Sequence, residues 1–320
     1  MTEKSCWILT EGMAGTENQA LGLAEALGMR PEVKRVRARA PWRWLPAALW
    51  PCPLAAQASG ADPLRPPWPD LLISGGRKSV AMALAIKAKS RGRTFAVHLL
   101  NPYGCAKGFD LVTVPRHDHL EGNNVVVTEG ALTRITPARL AAALGRHGER
   151  LGRLAMPRFT VLLGGANKHL RFTPRAAEEL AVLLKAAVGE TGGSLLITPS
   201  RRTPAEALAR LRAGLEGVAA EIWEGGGDNP YFAYLAAADA IVVTNDSISM
   251  ASEAASTGKP VYVFDLEGEA RKFRTFHENL RAKGIARPFD GTFERWVYAP
   301  LDDTARVAEA VRTRMASKGG

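Results

Sequence analysis

Cysteine is scarce in this sequence. Its 320 residues include three, Cys6, Cys52 and Cys105, widely separated and odd in number. That excludes a disulfide framework and the paired spacing of a structural zinc site, and it points to a reducing compartment. Long apolar runs are missing too. None reaches the roughly 18–20 residues needed to span a bilayer, and the opening residues Met1–Thr10 lack the apolar core of a signal peptide. The expectation is a cytoplasmic protein, at most peripheral at the inner membrane. Acidic residues fall short of basic ones, 32 against 42, for a formal charge of +10. Such a balance suits an anionic partner. The basic residues are scattered rather than massed in a tail, and no DNA- or RNA-binding module is present, so nucleic acid is not expected. Heptads, low-complexity tracts and exact internal repeats are also absent.

What is present is enough chain for two ordinary domains, with 46% hydrophobic residues to fill their cores. The most informative stretch runs from Ala240 to Phe264. Ala240–Val243 reads as a buried strand. Thr244-Asn245-Asp246-Ser247 are good helix caps, so a helix should begin near Ile248 and stop at Gly258. Val261–Phe264 is a second strand. Ligands bind at the carboxyl ends of parallel strands, and a helix start there suits a phosphate. Ser249, Ser252, Glu253 and Ser256 share one helical face by spacing. The expectation is that Asp246, Ser247 and Ser249 meet a ligand and that Glu253 accepts from ribose hydroxyls.

The rest of the chain alternates strands and helices, with glycine or Ser/Arg turns between them. Ser5–Thr10 leads into Glu11-Gly12-Met13-Ala14-Gly15-Thr16-Glu17-Asn18-Gln19, where Gly12 and Gly15 permit close approach and Thr16 is a plausible N-cap. The polarity of Glu17, Asn18 and Gln19 favours ligand contact. Asp70–Ser74 is followed by Gly75-Gly76-Arg77-Lys78, a glycine turn with two cations that would fit a phosphate. Trp42, Trp44 and Trp50 sit among prolines and Arg43. They read as a short aromatic segment lying on an anionic membrane surface or a lipid-bearing substrate, or else packed on their own domain. His117, Asp118 and His119 match no metal spacing and read as a polar loop. A fresh alternation begins at Phe159, with turns at Gly164-Gly165-Ala166-Asn167-Lys168, at Ser200-Arg201, and at Gly225–Asn229. Gly268–Lys283 and Asp302–Met315 read as helices.

This arrangement resembles the two-domain GT-B glycosyltransferases. The Glu11–Gln19 loop resembles the glycine-rich acceptor loop of the peptidoglycan lipid-intermediate N-acetylglucosaminyltransferase. Thr244–Glu253 resembles its donor-binding turn and helix, which places Glu253 at the ribose position. A closer resemblance is to a family named for a plant mitochondrial-fission protein, with many bacterial members. It is carried by EGMAGTENQALGLAEALG, SGGRKS, VPRHDH, GNNVVVTEGAL, LLGGANK, TPSRRTP, DNPYFAYLAAADAIVVTNDSISMASEA and GKPVYVF, spread from residue 11 to 264.

The resemblance implies two Rossmann-like doubly wound α/β domains facing a cleft. The expected division is an acceptor domain over 1–150, a nucleotide-sugar domain over 151–300, and a helix over 301–320 packing back across the junction. It further implies transfer of a sugar from a nucleoside-diphosphate sugar to a lipid-linked or envelope glycan acceptor, inverting and without metal or cofactor. Donor contacts would come from Gly164, Gly165, Asn167, Lys168, Ser200, Arg201, Asn229, Asp246, Ser247, Ser249 and Glu253. Acceptor contacts would come from Gly12, Gly15, Asn18, Gln19, Gly75 and Arg77. A histidine closes the acceptor loop of the peptidoglycan enzyme; here Thr16 stands in its place, so the base falls to Glu11 or Glu17. Two other functions fit the same residues, a nucleotide-sugar epimerase and a non-enzymatic adaptor.

Overall fold

The computed structural model describes residues 4–319; the expectations touching residues 1–3 and 320 lie outside them. The chain divides into two compact units, residues 1–134 with 302–320, and residues 135–301.

The first unit is built on β1 (Cys6–Thr10), α1 (Ala14–Ala26), β2 (Pro31–Arg35), β3 (Leu71–Gly75), α2 (Ser79–Lys89), β4 (Phe95–Leu99), β5 (Leu111–Pro115) and β6 (Val125–Thr128). All six strands are parallel, in the order β2-β1-β3-β4-β5-β6. Strands β1, β3, β4 and β5 are buried along their whole length. Their near-continuous apolar runs are what a sheet covered on both faces requires. One face carries Trp7, Leu9, Leu72 and Val112 against Val80 and Ala83 of α2. The other carries Ile8, Ile73 and Val97 against Ala20 and Leu23 of α1.

The second unit comprises α3 (Pro137–Gly152), β7 (Arg158–Leu163), β8 (Leu170–Arg171), α4 (Pro174–Thr191), β9 (Ser194–Pro199), α5 (Ala205–Gly214), β10 (Ala220–Ile222), α6 (Tyr231–Ala237), β11 (Ala240–Thr244), α7 (Ile248–Ala255), β12 (Val261–Phe264), β13 (Glu267–Gly268), α8 (Arg271–Ala282) and β14 (Ala286–Pro288). Its main sheet is again parallel, in the order β10-β9-β7-β11-β12-β14. Counted from β7, that is the doubly wound order 3-2-1-4-5-6. Strand alternation splits the core: Phe159, Val161 and Leu163 of β7 face Leu180, Leu184 and Leu211 of α4 and α5. Leu162 faces the layer of Ala251, Ala254, Phe276 and Leu280 from α7 and α8. The short strands β8 and β13 pair antiparallel and were not anticipated.

The division falls at 134/135 rather than near 150. Helix α3 is capped by Thr136, whose hydroxyl accepts from Arg139 N–H at 3.1 Å, and it packs Ala143 and Leu151 with Ala233 and Tyr234. It therefore belongs to the second unit. The last helix, α9 (Asp303–Gly319), rejoins the first unit. Val307, Ala308 and Val311 enter the core beside α1, and the Asp303 carboxylate accepts from the N–H groups of Glu129 and Gly130 at 3.0 and 2.8 Å.

The tryptophan segment forms three short 3₁₀ turns, at Trp42–Trp44, Ala47–Leu49 and Pro53–Ala56. It does not expose all its rings. Trp50 is 7% exposed, and its indole N–H donates to Leu45 C=O at 3.2 Å. Trp42 is half-buried, with its ring centroid 6.3 Å from that of Trp50. Trp44 is 64% exposed, with the Arg43 guanidinium 4.4 Å above its ring. The segment is thus partly a packed loop and partly a displayed aromatic.

Candidate functional site

In each sheet the strand order reverses beside the first strand, and at each reversal two strand-end loops meet. In the second unit the reversal lies between β7 and β11. The loop after β7 opens with Gly164-Gly165 and the loop after β11 carries Asn245-Asp246-Ser247. Asp246 is the node. Its side chain has no exposed surface. It accepts from Thr244 Oγ1 at 2.7 Å, from Gly165 N–H at 2.9 Å and from Arg202 Nη2 at 3.1 Å. Gly164 N–H donates to Thr244 Oγ1 at 2.7 Å. A Cβ on Gly165 would lie 1.9 Å from Arg202 C=O, so only glycine permits the approach. Thr203 completes the weld by donating to Leu163 C=O at 3.1 Å and to Gly164 C=O.

These contacts change the roles expected of three residues. Asp246 has no surface left for a ligand; it joins the loops after β7, β9 and β11 into one rigid piece. The N–H groups of Gly164 and Gly165 are taken by Thr244 and Asp246, so neither is offered to a phosphate. The cations borne on the same loops, Lys168, Arg201 and Arg202, are exposed. The sequence singled out Arg201, whereas Arg202 makes the ion pair. Two adjacent arginines after a strand carry no signal that separates them.

Helix α7 starts where expected. Ser247 is its N-cap, its hydroxyl accepting from Met250 N–H at 3.3 Å. The remaining first-turn N–H groups of a helix lack intrahelical partners and carry partial positive charge. Ser249 is half-buried. Ser252 is fully buried, and its hydroxyl donates to Ile248 C=O at 2.8 Å; Ser256 does the same to Ser252 C=O at 2.9 Å. The serine face is therefore largely satisfied within the helix. Glu253 is half-buried and accepts from Tyr231 OH. Burial and the neighbouring carboxylate raise the Tyr231 pKa well above the ordinary phenol range, so Tyr231 stays a donor. Tyr231 was missed as a site residue because its hydroxyl meets Glu253 only through the fold. Asn229 is exposed, and its side-chain oxygen accepts from Tyr231 N–H at 2.9 Å, opening α6. Asn167 holds its own loop, accepting from His169 and Leu170 N–H at 2.8 and 2.9 Å. Ser200 takes an N–H from Arg202 at 3.2 Å.

In the first unit the reversal lies between β1 and β3. Helix α1 begins at Ala14, with Met13 rather than Thr16 at its N-cap. Thr16 instead packs on Gly75, where a Cβ would fall 2.3 Å from Thr16 Cγ2. Both candidate bases are ion-paired. Glu11 accepts from Lys78 N–H at 2.9 Å and lies 3.1 Å from Lys78 Nζ. Glu17 takes Arg35 Nη2 at 3.1 Å and Nε at 3.4 Å. Gly12 also lies beside Arg35, a Cβ there meeting its Cδ at 4.0 Å. Gly15 and Asn18 are exposed, and Gln19 is buried. Arg77 donates to Arg43 C=O at 2.9 Å, which ties the β3 turn to the tryptophan segment. His117 lies 3.7 Å from Asp118. Among the described residues, no group of three or more His, Cys, Asp or Glu side chains is placed to hold a metal ion. No described helix is long and apolar enough to cross a membrane.

Among solved structures, UDP-GlcNAc 2-epimerase from Methanocaldococcus jannaschii matches with a TM-score of 0.54 and 10% identity, covering 98% of this chain and all 100% of that one. The glycotransferase of kitacinnamycin matches with a TM-score of 0.54 and 13% identity, covering 100% of this chain and 97% of that one. At such identities the likeness shows the fold alone, the GT-B-like α/β arrangement expected from sequence. Mitochondrial fission protein ELM1 from Arabidopsis thaliana is 34% identical over 278 residues, covering 78% of this chain. That match spans 65% of the plant protein's length. The family model for Mitochondrial fission ELM1 matches residues 14–315. The chain belongs to the Mitochondrial fission ELM1 family.

Proposed function

We propose that the protein is a GT-B-type glycosyltransferase that moves a sugar from a nucleoside-diphosphate sugar to a lipid-linked or envelope glycan acceptor. The observation that carries this reading is the welded node at the β7/β11 reversal. A buried Asp246 holds three strand-end loops rigid beside the α7 N-terminus, as a preorganised anion site requires. The diphosphate would meet the first turn of α7 after Ser247, with Lys168 and Arg201 as counter-charges. Glu253, held by Tyr231, would accept from ribose. The same cations and N–H groups would stabilise the departing diphosphate.

Deprotonation of the acceptor is assigned to Glu17 in preference to Glu11. The Glu17 partner, Arg35, has a side chain 67% exposed and can swing away. Glu11 is held by a backbone N–H at the start of α2. The exposed Trp44 and Leu49, with Arg37, Arg39 and Arg43, would rest on an anionic membrane surface bearing the acceptor. No Asp or Glu occurs between Glu32 and Asp62 to oppose that contact.

The test is product analysis with nucleotide-sugars. Nucleoside diphosphate released only when a lipid-linked or glycan acceptor is added supports the transferase. An epimerised nucleotide-sugar formed without acceptor points instead to the epimerase chemistry seen on this fold. Absence of both, with no nucleotide binding, favours an adaptor.

A further inference from the structure

A cavity of about 360 Å³ opens at the amino ends of β1, β3 and β4 in the first unit. Lys4, Asp70, Arg91, Arg93, Phe95 and Lys318 line it. The strand-end loops of the candidate site lie at the opposite, carboxyl ends, the length of a five-residue strand or roughly 16 Å away. Four cations are set against one carboxylate, and that carboxylate is occupied within the protein. Asp70 accepts from Ser5 N–H at 2.8 Å and from Ser5 Oγ at 2.9 Å. Lys318 is matched by Asp110, its Nζ lying 2.9 Å from Oδ1. Lys4, Arg91 and Arg93 are exposed and form no ion pair with any described residue. Arg93 Nε donates to Ser90 C=O at 3.2 Å, which leaves its charge unanswered.

The backbone adds an independent sign. Arg91 follows the Ser90 cap of α2 with φ +55°, and Gly92 comes next at +76°. Glycine is the usual residue at that left-handed position after a helix, because a side chain there is strained. The Arg91 side chain makes no hydrogen bond or ion pair with a described residue, so the protein itself does not offset that strain. Held strain of this kind points toward function. Three unanswered cations around an apolar floor, where Phe95 is 3% exposed, also concentrate positive potential. A single carboxylate would leave most of it uncompensated, whereas linked phosphates would meet both guanidiniums and the ammonium. Among the described residues, no exposed large hydrophobic side chain lines the cavity to enter a bilayer, which favours a soluble ligand over a lipid headgroup. We propose that this cavity binds a compact soluble polyanion of the di- or triphosphate class, with Lys4, Arg91 and Arg93 as its counter-charges. The assignment is independent of the nucleotide-sugar reading of the second unit.

The experiment is calorimetric titration of the full chain with inorganic pyrophosphate at constant ionic strength, in the wild type, Arg91→Gly, Arg93→Gln and Arg201→Gln. Glycine removes the charge and suits the left-handed backbone, so Arg91→Gly should melt no lower than the wild type. The wild type should show a binding event that Arg91→Gly and Arg93→Gln each weaken roughly three- to tenfold, between the worth of an exposed ion pair and that of a charge-assisted hydrogen bond. Arg201→Gln takes one charge from the second unit and should leave that event in place. No pyrophosphate binding by the wild type overturns the site. Equal weakening by all three variants also overturns it, as a general effect of net charge. So does weakening by Arg201→Gln alone, which puts the ion in the second unit. An Arg91→Gly variant that melts well below the wild type overturns the reading of Arg91, because the residue then holds the turn. Sedimentation with phosphatidylglycerol vesicles that is lost in Arg91→Gly, while free pyrophosphate fails to bind, makes the patch a membrane contact and overturns the soluble ligand.

Discussion

Gly164 and Asp246 occupy what is nearly the same space: a Cβ on the glycine would fall 1.8 Å from Asp246 Oδ1. The close approach joins β7 to β11 where the strand order reverses. Gly164→Ala should therefore destabilise the second unit by about 1–3 kcal/mol through overpacking. Asp246→Ala should do so by about 1–3 kcal/mol, by leaving Gly165 N–H and the Thr244 hydroxyl without their buried acceptor, while the half-exposed Arg202 turns to water. The double variant should cost less than the sum, because alanine at 164 fills space the carboxylate has left. Urea unfolding of the four proteins measures the coupling.

Stability should fall with acid through His98. This ring is fully buried in the first unit, 2.8 Å from Ser74 Oγ through Nδ1, and burial lowers its pKa to about 3. Its unfolded value is near 6.5. Between those limits the unfolded chain binds one more proton, so the contribution is fully present above pH 6.5 and is lost as pH falls. The expected slope from this residue is about 1.4 kcal/mol per pH unit. His98→Gln should unfold more easily at pH 7 and show a flatter acid dependence between pH 6 and 4. Urea midpoints followed by tryptophan fluorescence give both quantities.

Glu11 and Glu17 should separate by what their loss affects. Glu11→Ala removes the acceptor for Lys78 N–H at the head of α2 and should lower stability by about 1–3 kcal/mol. Glu17→Gln breaks a pair whose arginine is exposed and screened by water, and should cost less than about 1 kcal/mol. If Glu17 is the base, the same change should slow sugar transfer about 10²- to 10⁴-fold with donor affinity unchanged. Thermal unfolding and single-turnover transfer are the paired measurements.

The tryptophans should also divide. Trp44→Ala should leave the melting temperature within about a degree, as surface changes do, and weaken sedimentation with anionic vesicles. Trp50→Ala should destabilise the first unit by about 3–5 kcal/mol, because it empties a packed site. Equal vesicle binding by wild type and Trp44→Ala would remove the membrane surface from the account.

Much of the fold was readable because parallel strands covered on both faces leave unmistakable apolar runs. Val261–Phe264 and the Ser247–Ile248 helix start lie where the pattern put them. Thr173-Pro174, a capping residue followed by proline, is the same kind of local signal and starts α4, with Thr173 Oγ1 accepting from Ala176 N–H at 3.1 Å. The short pair β8/β13 escaped notice, since two residues show no period. The allegiance of α3 was not visible, because packing on α6 is a long-range fact. The site was legible as a set of loops and illegible as a set of contacts. The sequence marks Asp246, Gly164 and Gly165 as unusual. It does not show that a carboxylate so placed is buried by a glycine eighty-two positions earlier, or that Tyr231 and Glu253 meet.

The most direct test of the central claim is a thermal-shift titration of the wild type and Glu253→Ala with UDP, GDP, ADP, CMP and dTDP. A ligand at a hundred times its dissociation constant adds about 2.7 kcal/mol of stability. The account predicts a clear upward shift with one nucleoside diphosphate, lost in Glu253→Ala, whose unliganded form melts somewhat below the wild type because Tyr231 OH loses its acceptor. No shift with any of the five would contradict it and leave the adaptor reading in its place.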